Sequence, residues 1–361
     1  MATIPKAAAL SEVVDKDLIA IDLFSGCGGL TQGLRDAGFR VIAAVDNDQL
    51  SVATYKRNHP GVYVWQEDIR RLSVAKVGRL LKLQKGELDL LAGCPPCQAF
   101  SAMRRLNGRR RVRDKVTKDL VFEFLRFVEG LLPKSVMMEN VPRLAKDDRM
   151  RKFRKRLKDL GYVGKDAVLN VADFGVPQRR RRMVYIGSRV SQVAFAEPIS
   201  KNERTTVWET INHLPIPGGS GDALHDILEN RSGQVLARIR RIPRDGGSRK
   251  ALGEDDQLPC HKRSEGFNDV YGRMAWDDVS PTITGGCINP SKGRFLHPEQ
   301  DRAITLREAA LLQSFPPNYE FPLDRGKYAV ARMIGNALPP EFVRQHARGL
   351  WRKLLEHQAT A

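Results

Sequence analysis

The stretch Leu88–Ser101, LDLLAGCPPCQAFS, sets two thiols, Cys94 and Cys97, around a rigid Pro95-Pro96 pair directly after a short apolar run. An apolar run bounded by Gly and Pro reads as a buried strand. In open α/β sheets the carboxyl edge of such strands is where ligands bind and chemistry is done. Three chemistries are open to this pair. Both cysteines can be small, inert core residues. They can form a CxxC redox pair or half a zinc site, but a zinc site takes about four ligands. The only other Cys-His neighbours are Cys260-His261, so no metal site is expected. Or one thiol can be a nucleophile whose helpers stand elsewhere in the chain.

Candidate helpers follow. Ser135 to Met138 reads as a strand, with Glu139-Asn140-Val141-Pro142 at its end. A carboxylate there is placed either to act as a general acid beside the thiol or to cap the next turn. The run Gln178-Arg179-Arg180-Arg181-Arg182 leads into a strand over Met183 to Gly187. Alternate residues entering a strand share a side, so Arg180 and Arg182 are expected to point together.

A ligand site is legible upstream. Leu18 to Phe24 is a buried-strand pattern, and Ser25-Gly26-Cys27-Gly28-Gly29 follows at once. Leu30, Leu34 and Ala37 keep helical spacing until Gly38 stops the helix. Glycines in such a turn let the backbone approach a ligand closely. The second strand, Phe39 to Val45, ends at Asp46, about 20 residues past the glycines, where an acid accepts hydrogen bonds from ribose hydroxyls. Asp48 suits the N-cap of a helix starting near Gln49. A third segment, Val62 to Trp65, runs into Glu67-Asp68-Ile69, which places Asp68 to meet an adenine amino group. No phosphate-cradling Walker motif is present. The expectation is a site for an adenosyl group without phosphates.

These positions need a large α/β sheet, and 361 residues suffice for one plus a smaller unit. With 60 Lys+Arg against 42 Asp+Glu, the net charge of +18 points to a polyanionic partner, most simply nucleic acid. The cations cluster at Arg104–Arg113, Arg143–Lys158 and Arg179–Arg182, which favours that reading over a merely soluble basic surface. Five unevenly spaced cysteines suggest no disulfide framework and a reducing compartment. No membrane-spanning or leader segment is expected.

Taken together, the blocks resemble the DNA (cytosine-5)-methyltransferase family over nearly the whole length. DLFSGCGGL resembles its cofactor glycine motif, GCPPCQAFS its proline-cysteine motif, ENV its glutamate motif and QRRRR its Gln-x-Arg-x-Arg motif; TLREAALLQSFP and GNALPP match its two C-terminal motifs. Cys94 stands where the family often has Gly, Ala99 replaces a frequent Gly, and Arg179 and Arg181 make the arginine motif unusually basic.

The resemblance implies a Rossmann-like S-adenosylmethionine-dependent α/β fold with a smaller target-recognition domain inserted. The implied boundaries are a lead-in over 1–16, a catalytic and cofactor-binding domain over 17–189, recognition over 190–300, and a return to the catalytic domain over 301–361. It makes Cys97 the nucleophile, Glu139 the acid on the base, and Arg180 and Arg182 the arginines near a flipped cytosine. Phe24, Ser25, Gly26, Cys27, Gly28, Gly29, Asp46, Asp68, Ile69, Pro95, Leu120 and Asn336 are implied to hold S-adenosylmethionine. Double-stranded DNA is the implied substrate and a restriction endonuclease acting on the same sequence a possible associate; a cytoplasmic, nucleoid-associated monomer suffices. An RNA cytosine methyltransferase on the same fold, and a DNA-binding protein that has lost catalysis, are the alternatives. The arginine-rich segment Met103–Asp114 is expected to close over DNA. Thr305 with Glu308 reads as a capping box, leaving Arg307 and Gln313 structural, and Pro340 suits the start of the last helix.

Overall fold

The computed structural model describes residues 17–96, 120–227, 229–253 and 269–360. Cys97, the Met103–Asp114 segment and Cys260-His261 lie outside them.

The chain alternates strand and helix through its first half: β1 (Ile19–Leu23), α1 (Gly29–Asp36), β2 (Arg40–Asp46), α2 (Gln49–Asn58), β3 (Tyr63–Gln66), α3 (Val74–Leu81), β4 (Leu90–Gly93), α4 (Leu120–Leu131) and β5 (Ser135–Asn140). A short 3₁₀ turn, Pro142–Lys146, leads to α5 (Asp148–Asp159), β6 (Val163–Asn170) and β7 (Arg181–Ser188). The seven strands lie in the order β3-β2-β1-β4-β5-β7-β6. β1 to β5 pair in parallel, while β7 runs antiparallel to both β5 and β6. This is the mostly parallel sheet expected from the strand-turn-helix pattern.

Period-two alternation fills both faces of the sheet. Leu91, Val136, Met138, Met183 and Tyr185 pack on one face with Phe124, Phe127 and Val128 of α4 and Phe153 of α5. Their neighbours Leu90, Ala92, Met137, Val184 and Ile186 pack on the other with Leu34 of α1 and Phe342, Val343 and Leu350 near the C-terminus. Two strands are longer than their apolar runs. β5 continues through Glu139 and Asn140 because β7 pairs with them, Glu139 opposite Val184 and Asn140 opposite Met183. Similarly β7 begins at Arg181, opposite Asn170 of β6. Backbone pairing carries polar residues that hydropathy excludes, so Glu139 sits inside the sheet edge rather than beyond it.

The second half contains α6 (Val207–Ile211), α7 (Gly233–Arg241), α8 (Leu306–Leu312), α9 (Lys327–Asn336) and α10 (Pro340–Thr360), with no strand among the described residues after β7. α6, α8 and α9 share a third core with Phe315, Tyr319 and Phe321, and Cys27 of the first glycine turn joins it. A small separate cluster holds Ile239, Ile242, Leu252, Val270, Tyr271 and Leu296. The capping box is present: Thr305 Oγ1 accepts from Glu308 N at 3.1 Å, and Thr305 N donates to Glu308 Oε2 at 2.7 Å. Arg307 donates to Asp222 and to the Tyr319 carbonyl, a structural placement. No described helix is long and apolar enough to cross a membrane.

Candidate active site

The carboxyl ends of β1, β2, β4 and β5 open into one cavity of 1590 Å³. One end is the turn after β1. Phe24 and Gly26 there have φ of 62° and 54°, and Gly28 has φ of 100°. A left-handed Phe costs roughly 1 kcal/mol or more and persists only where its surroundings fix it. They do so here: Ser25 N donates to the Val45 carbonyl at 3.0 Å, and Gly26 N to Asp46 Oδ2 at 2.8 Å. Asp46 Oδ1 also accepts from Asp48 N at 2.8 Å. Burial raises the Asp46 carboxyl from its ordinary range, against these backbone bonds. Asp48 caps α2 as expected, accepting from Ser51 N at 2.9 Å.

Phe24, Ser25, Gly26, Cys27, Gly29, Asp46, Asp68, Ile69, Pro95, Leu120 and Asn336 all line this cavity. Gly28 does not: its α-carbon faces backwards, where an added Cβ would stand 2.4 Å from His59 Nε2 and 2.6 Å from the Tyr319 hydroxyl. Asp68 is engaged by Arg70, whose guanidinium lowers its carboxyl pKa. Two features suit a polar, carbon-rich ligand such as an adenosyl group. The buried Ser25 hydroxyl has no partner among the described residues, and Gly26 has open space where a Cβ would stand.

At the other end, Arg182 Nε lies 2.7 Å from Glu139 Oε1, both side chains largely buried. Glu139 is supplied by β5 and Arg182 by the adjacent β7, so the strand register itself builds the pair. Asn140, buried beside them, donates through Nδ2 to the Pro95 carbonyl at 2.8 Å. This bond ties the glutamate strand to the proline turn that precedes Cys97. Cys94 sits half-buried at the same edge; burial and then the Glu139 charge push its thiol well above the ordinary range. A thiol so suppressed is a poor nucleophile.

Arg180 enters the same cavity as Arg182, but its Nη1 donates to the carbonyls of Ile283 at 2.9 Å and Gly335 at 3.0 Å. Burial, reinforced by the Arg182 charge, pulls its pKa down to about 9. It joins the Thr282–Gly285 segment to the end of α9. A buried amide pair reinforces that junction: Gln178 donates to Gln313 Oε1 at 2.6 Å and accepts from Ile283 N at 2.9 Å.

Sequence reasoning assigned no role to Asn140, His59, Tyr319 or Asp22. Asp22, buried in β1, accepts from Thr31 Oγ1 at 2.7 Å, and burial raises its carboxyl to about 8. Thr31, as donor to Asp22, accepts in turn from the Tyr55 hydroxyl at 2.7 Å. An aspartate inside an apolar run was the available signal; His59 and Tyr319 gave none, because their partners are brought together only by the fold.

Residues 18–351 match the family described as C-5 cytosine-specific DNA methylase. The type II methylase M.HgiDII of Herpetosiphon aurantiacus is 36% identical over 344 residues, covering 92% of this chain and 95% of the relative. The type II methyltransferase M1.HphI of Haemophilus parahaemolyticus is 35% identical over 330 residues, covering 90% and 84%. Among solved structures, a DNA modification methyltransferase encoded within an E. coli prophage superposes with a TM-score of 0.68 at 26% identity, over 94% of this chain and 99% of that one.

Proposed function

The chain belongs to the C-5 cytosine-specific DNA methylase family and is a DNA cytosine-5-methyltransferase, and from that premise we propose that it methylates a cytosine flipped out of a specific double-stranded DNA sequence, using S-adenosylmethionine, Cys97, Glu139 and Arg182. The observation that carries this reading is the single cavity with the glycine turn and Asp46 at one end and the Glu139–Arg182 pair at the other.

S-adenosylmethionine, when bound, supplies an electrophilic methyl group. The turn Phe24–Gly29 with Asp46, Asp68, Ile69, Pro95, Leu120 and Asn336 would hold it, Asp46 serving the ribose hydroxyls. Carbon 5 of cytosine is a weak nucleophile while the ring is aromatic. Cys97, as thiolate, adds to carbon 6 across the 5,6 double bond and makes carbon 5 electron-rich; once carbon 5 is methylated, loss of its proton to a base re-forms the double bond and expels Cys97 as thiolate. Glu139 hydrogen-bonds ring nitrogen 3 as charge builds there, and Arg182, already paired with Glu139, orients the carboxyl and meets the exocyclic oxygen. Asn140 holds the Pro95-Pro96 segment that precedes Cys97 in the chain. Arg180 holds the wall behind Arg182, so it acts by positioning. The base must leave the duplex, at a cost of a few kcal/mol. The cationic Met103–Asp114 segment offsets that cost by binding the DNA backbone, and residues 190–300 read the sequence.

The type II names of the relatives support an enzyme that protects its sequence from a restriction endonuclease of the same specificity. A monomer acting in the cytoplasm on the nucleoid fits one site per chain.

The test is incubation with labelled S-adenosylmethionine and unmethylated genomic DNA, followed by mapping of 5-methylcytosine. Label is expected at one short motif, absent in Cys97→Ser and kept in Cys94→Ser. Label entering RNA instead of DNA, or full activity in Cys97→Ser, would sink the reading.

A further inference from the structure

The strained turn is held from its cavity side by Asp46, but it has a second face. There the Tyr319 hydroxyl donates to the Cys27 carbonyl at 2.5 Å. His59 Nε2 stands 3.2 Å from the Gly28 carbonyl and 3.0 Å from the Tyr319 oxygen. Arg35 Nη1 lies 3.2 Å from the other ring nitrogen. Both rings are almost fully buried, at 1% and 2% exposure.

These contacts fix every donor and acceptor. A carbonyl only accepts, so Nε2 carries the hydrogen; a guanidinium only donates, so Nδ1 is the bare acceptor. The neutral ring is therefore the form that fits, in agreement with a pKa lowered to about 4 by burial and the Arg35 charge. The single Nε2 hydrogen is shared between the Gly28 carbonyl and the Tyr319 oxygen, and Tyr319 passes its own hydrogen to Cys27. The absence of room for a Cβ on Gly28 shows that turn and rings are in direct contact. His59 is the C-cap of α2, whereas Tyr319 belongs to the third core with Phe315 and Phe321, at ring-centroid distances of 4.7 and 5.2 Å. A residue some 290 positions downstream thus fastens the first turn of the chain.

We propose that His59 and Tyr319 are positioning residues that hold the Phe24–Gly28 turn, from behind, in the shape that binds S-adenosylmethionine. The inference rests on the reading of that turn as the cofactor site. It assigns the two residues to cofactor affinity and excludes them from the methyl-transfer step, because neither lines the cavity.

Titration of the full-length enzyme with S-adenosylmethionine tests it, with kcat and the KM for each substrate measured in parallel. Tyr319→Phe keeps the ring and loses the bond to Cys27 together with the oxygen that shares the His59 Nε2 hydrogen, which still has the Gly28 carbonyl. Its cofactor Kd and KM are expected to rise roughly tenfold, the worth of one buried hydrogen bond, with kcat at saturation and the KM for DNA within about twofold. A second pair covers a Tyr319 variant that fails to fold. His59→Gln retains an amide donor and is expected to bind better than His59→Leu, which has none. Wild-type affinity in Tyr319→Phe, equal affinities in the two His59 variants, or a fall in kcat with unchanged cofactor KM would each overturn the proposal. Failure of the wild type to bind S-adenosylmethionine would overturn the cofactor reading and this inference together; normal wild-type binding with unaffected variants overturns this one alone.

Discussion

The sheet and the loop-rich region between β7 and α8 satisfy their backbones by different means. In the sheet, carbonyls and N–H groups meet in ladders, and side chains are left to pack or to do chemistry. Between Ile239 and Asp301 no described strand exists; backbone pairing is reduced to isolated bridges such as Arg273–Leu296, and arginines add to it. The guanidinium of Arg273, wholly buried, donates to the carbonyls of Ile239, Ile242, His297 and Gln300 and to the Asp301 carboxylate. Arg294 Nη1 adds bonds to the carbonyls of Gly246, Gly247 and Arg273. A guanidinium offers five donors in a rigid fork, so one side chain gathers carbonyls that no neighbouring strand reaches. The lesson concerns charge. A cation in this region can be structural cement, whereas at the sheet edge Arg182 lines the cavity, paired with the Glu139 carboxylate.

The largest effect expected from this contrast is at the sheet edge. Glu139→Gln should lower kcat by roughly 10² or more, the range for loss of a general acid, with a smaller loss of stability than Arg273→Met, because the amide oxygen still accepts from Arg182 and the β5 ladder does not depend on the side chain. Methyl incorporation and thermal unfolding on the same preparation check this. Activity above a tenth of wild type, or a collapse of stability, would break the comparison from the catalytic side.

Next in size is Arg273→Met, which removes the donors and leaves several buried carbonyls and Asp301 without them. The expected cost is about 3 kcal/mol or more, read by urea unfolding. Cofactor affinity should stay within about twofold in conditions where the protein remains folded, since Arg273 does not line the cavity. Should cofactor affinity fall in step with stability, the two regions are not separable in the way their bonding suggests.

The same contrast decides what could be read from sequence. Strand, turn and helix in the first half were legible because period-two and 3.6-residue apolar spacing follow directly from sheet and helix geometry. The Asp48 cap, the Thr305–Glu308 box and the start at Pro340 were legible because capping is local. Strand ends were less so: β5 and β7 extend through Glu139, Asn140 and Arg181 by pairing with one another, which no single segment records. Arg180 and Arg182 share a cavity as alternation predicts, yet Arg180 is occupied by the carbonyls of Ile283 and Gly335, brought near only by the fold. Arg273 carried no signal at all, because nothing in a loop sequence marks which cation will be buried. His59 and Tyr319 escaped for the same reason.

The smallest effect is on the pH dependence of stability, and it draws on both regions. Burial lowers His59 and His346, in the sheet region, and His297, in the loop region, each to about 4 from an ordinary 6.5. Between these values the unfolded chain binds protons that the folded chain refuses, so stability is complete above pH 6.5 and falls as pH drops towards 4. Asp22 has the opposite sign. Its folded value of about 8 lies above the ordinary 3.8, so the folded protein keeps a proton that the unfolded chain releases, and stability falls as pH rises through that window. Just below pH 6.5 three histidines oppose Asp22 and the histidine slope prevails, while the raised carboxyls of Asp36 and Asp46 share the sign of Asp22 and blunt that slope towards lower pH; from pH 6.5 to 8 Asp22 acts against no histidine. Melting temperatures across this range should therefore peak near pH 6.5, and Asp22→Asn should flatten the alkaline limb while leaving the acid limb in place. An unchanged alkaline slope in that variant would mean that Asp22 is ionised in the folded protein, and the buried Asp22–Thr31–Tyr55 chain would then have to be redrawn with a second donor on the carboxylate.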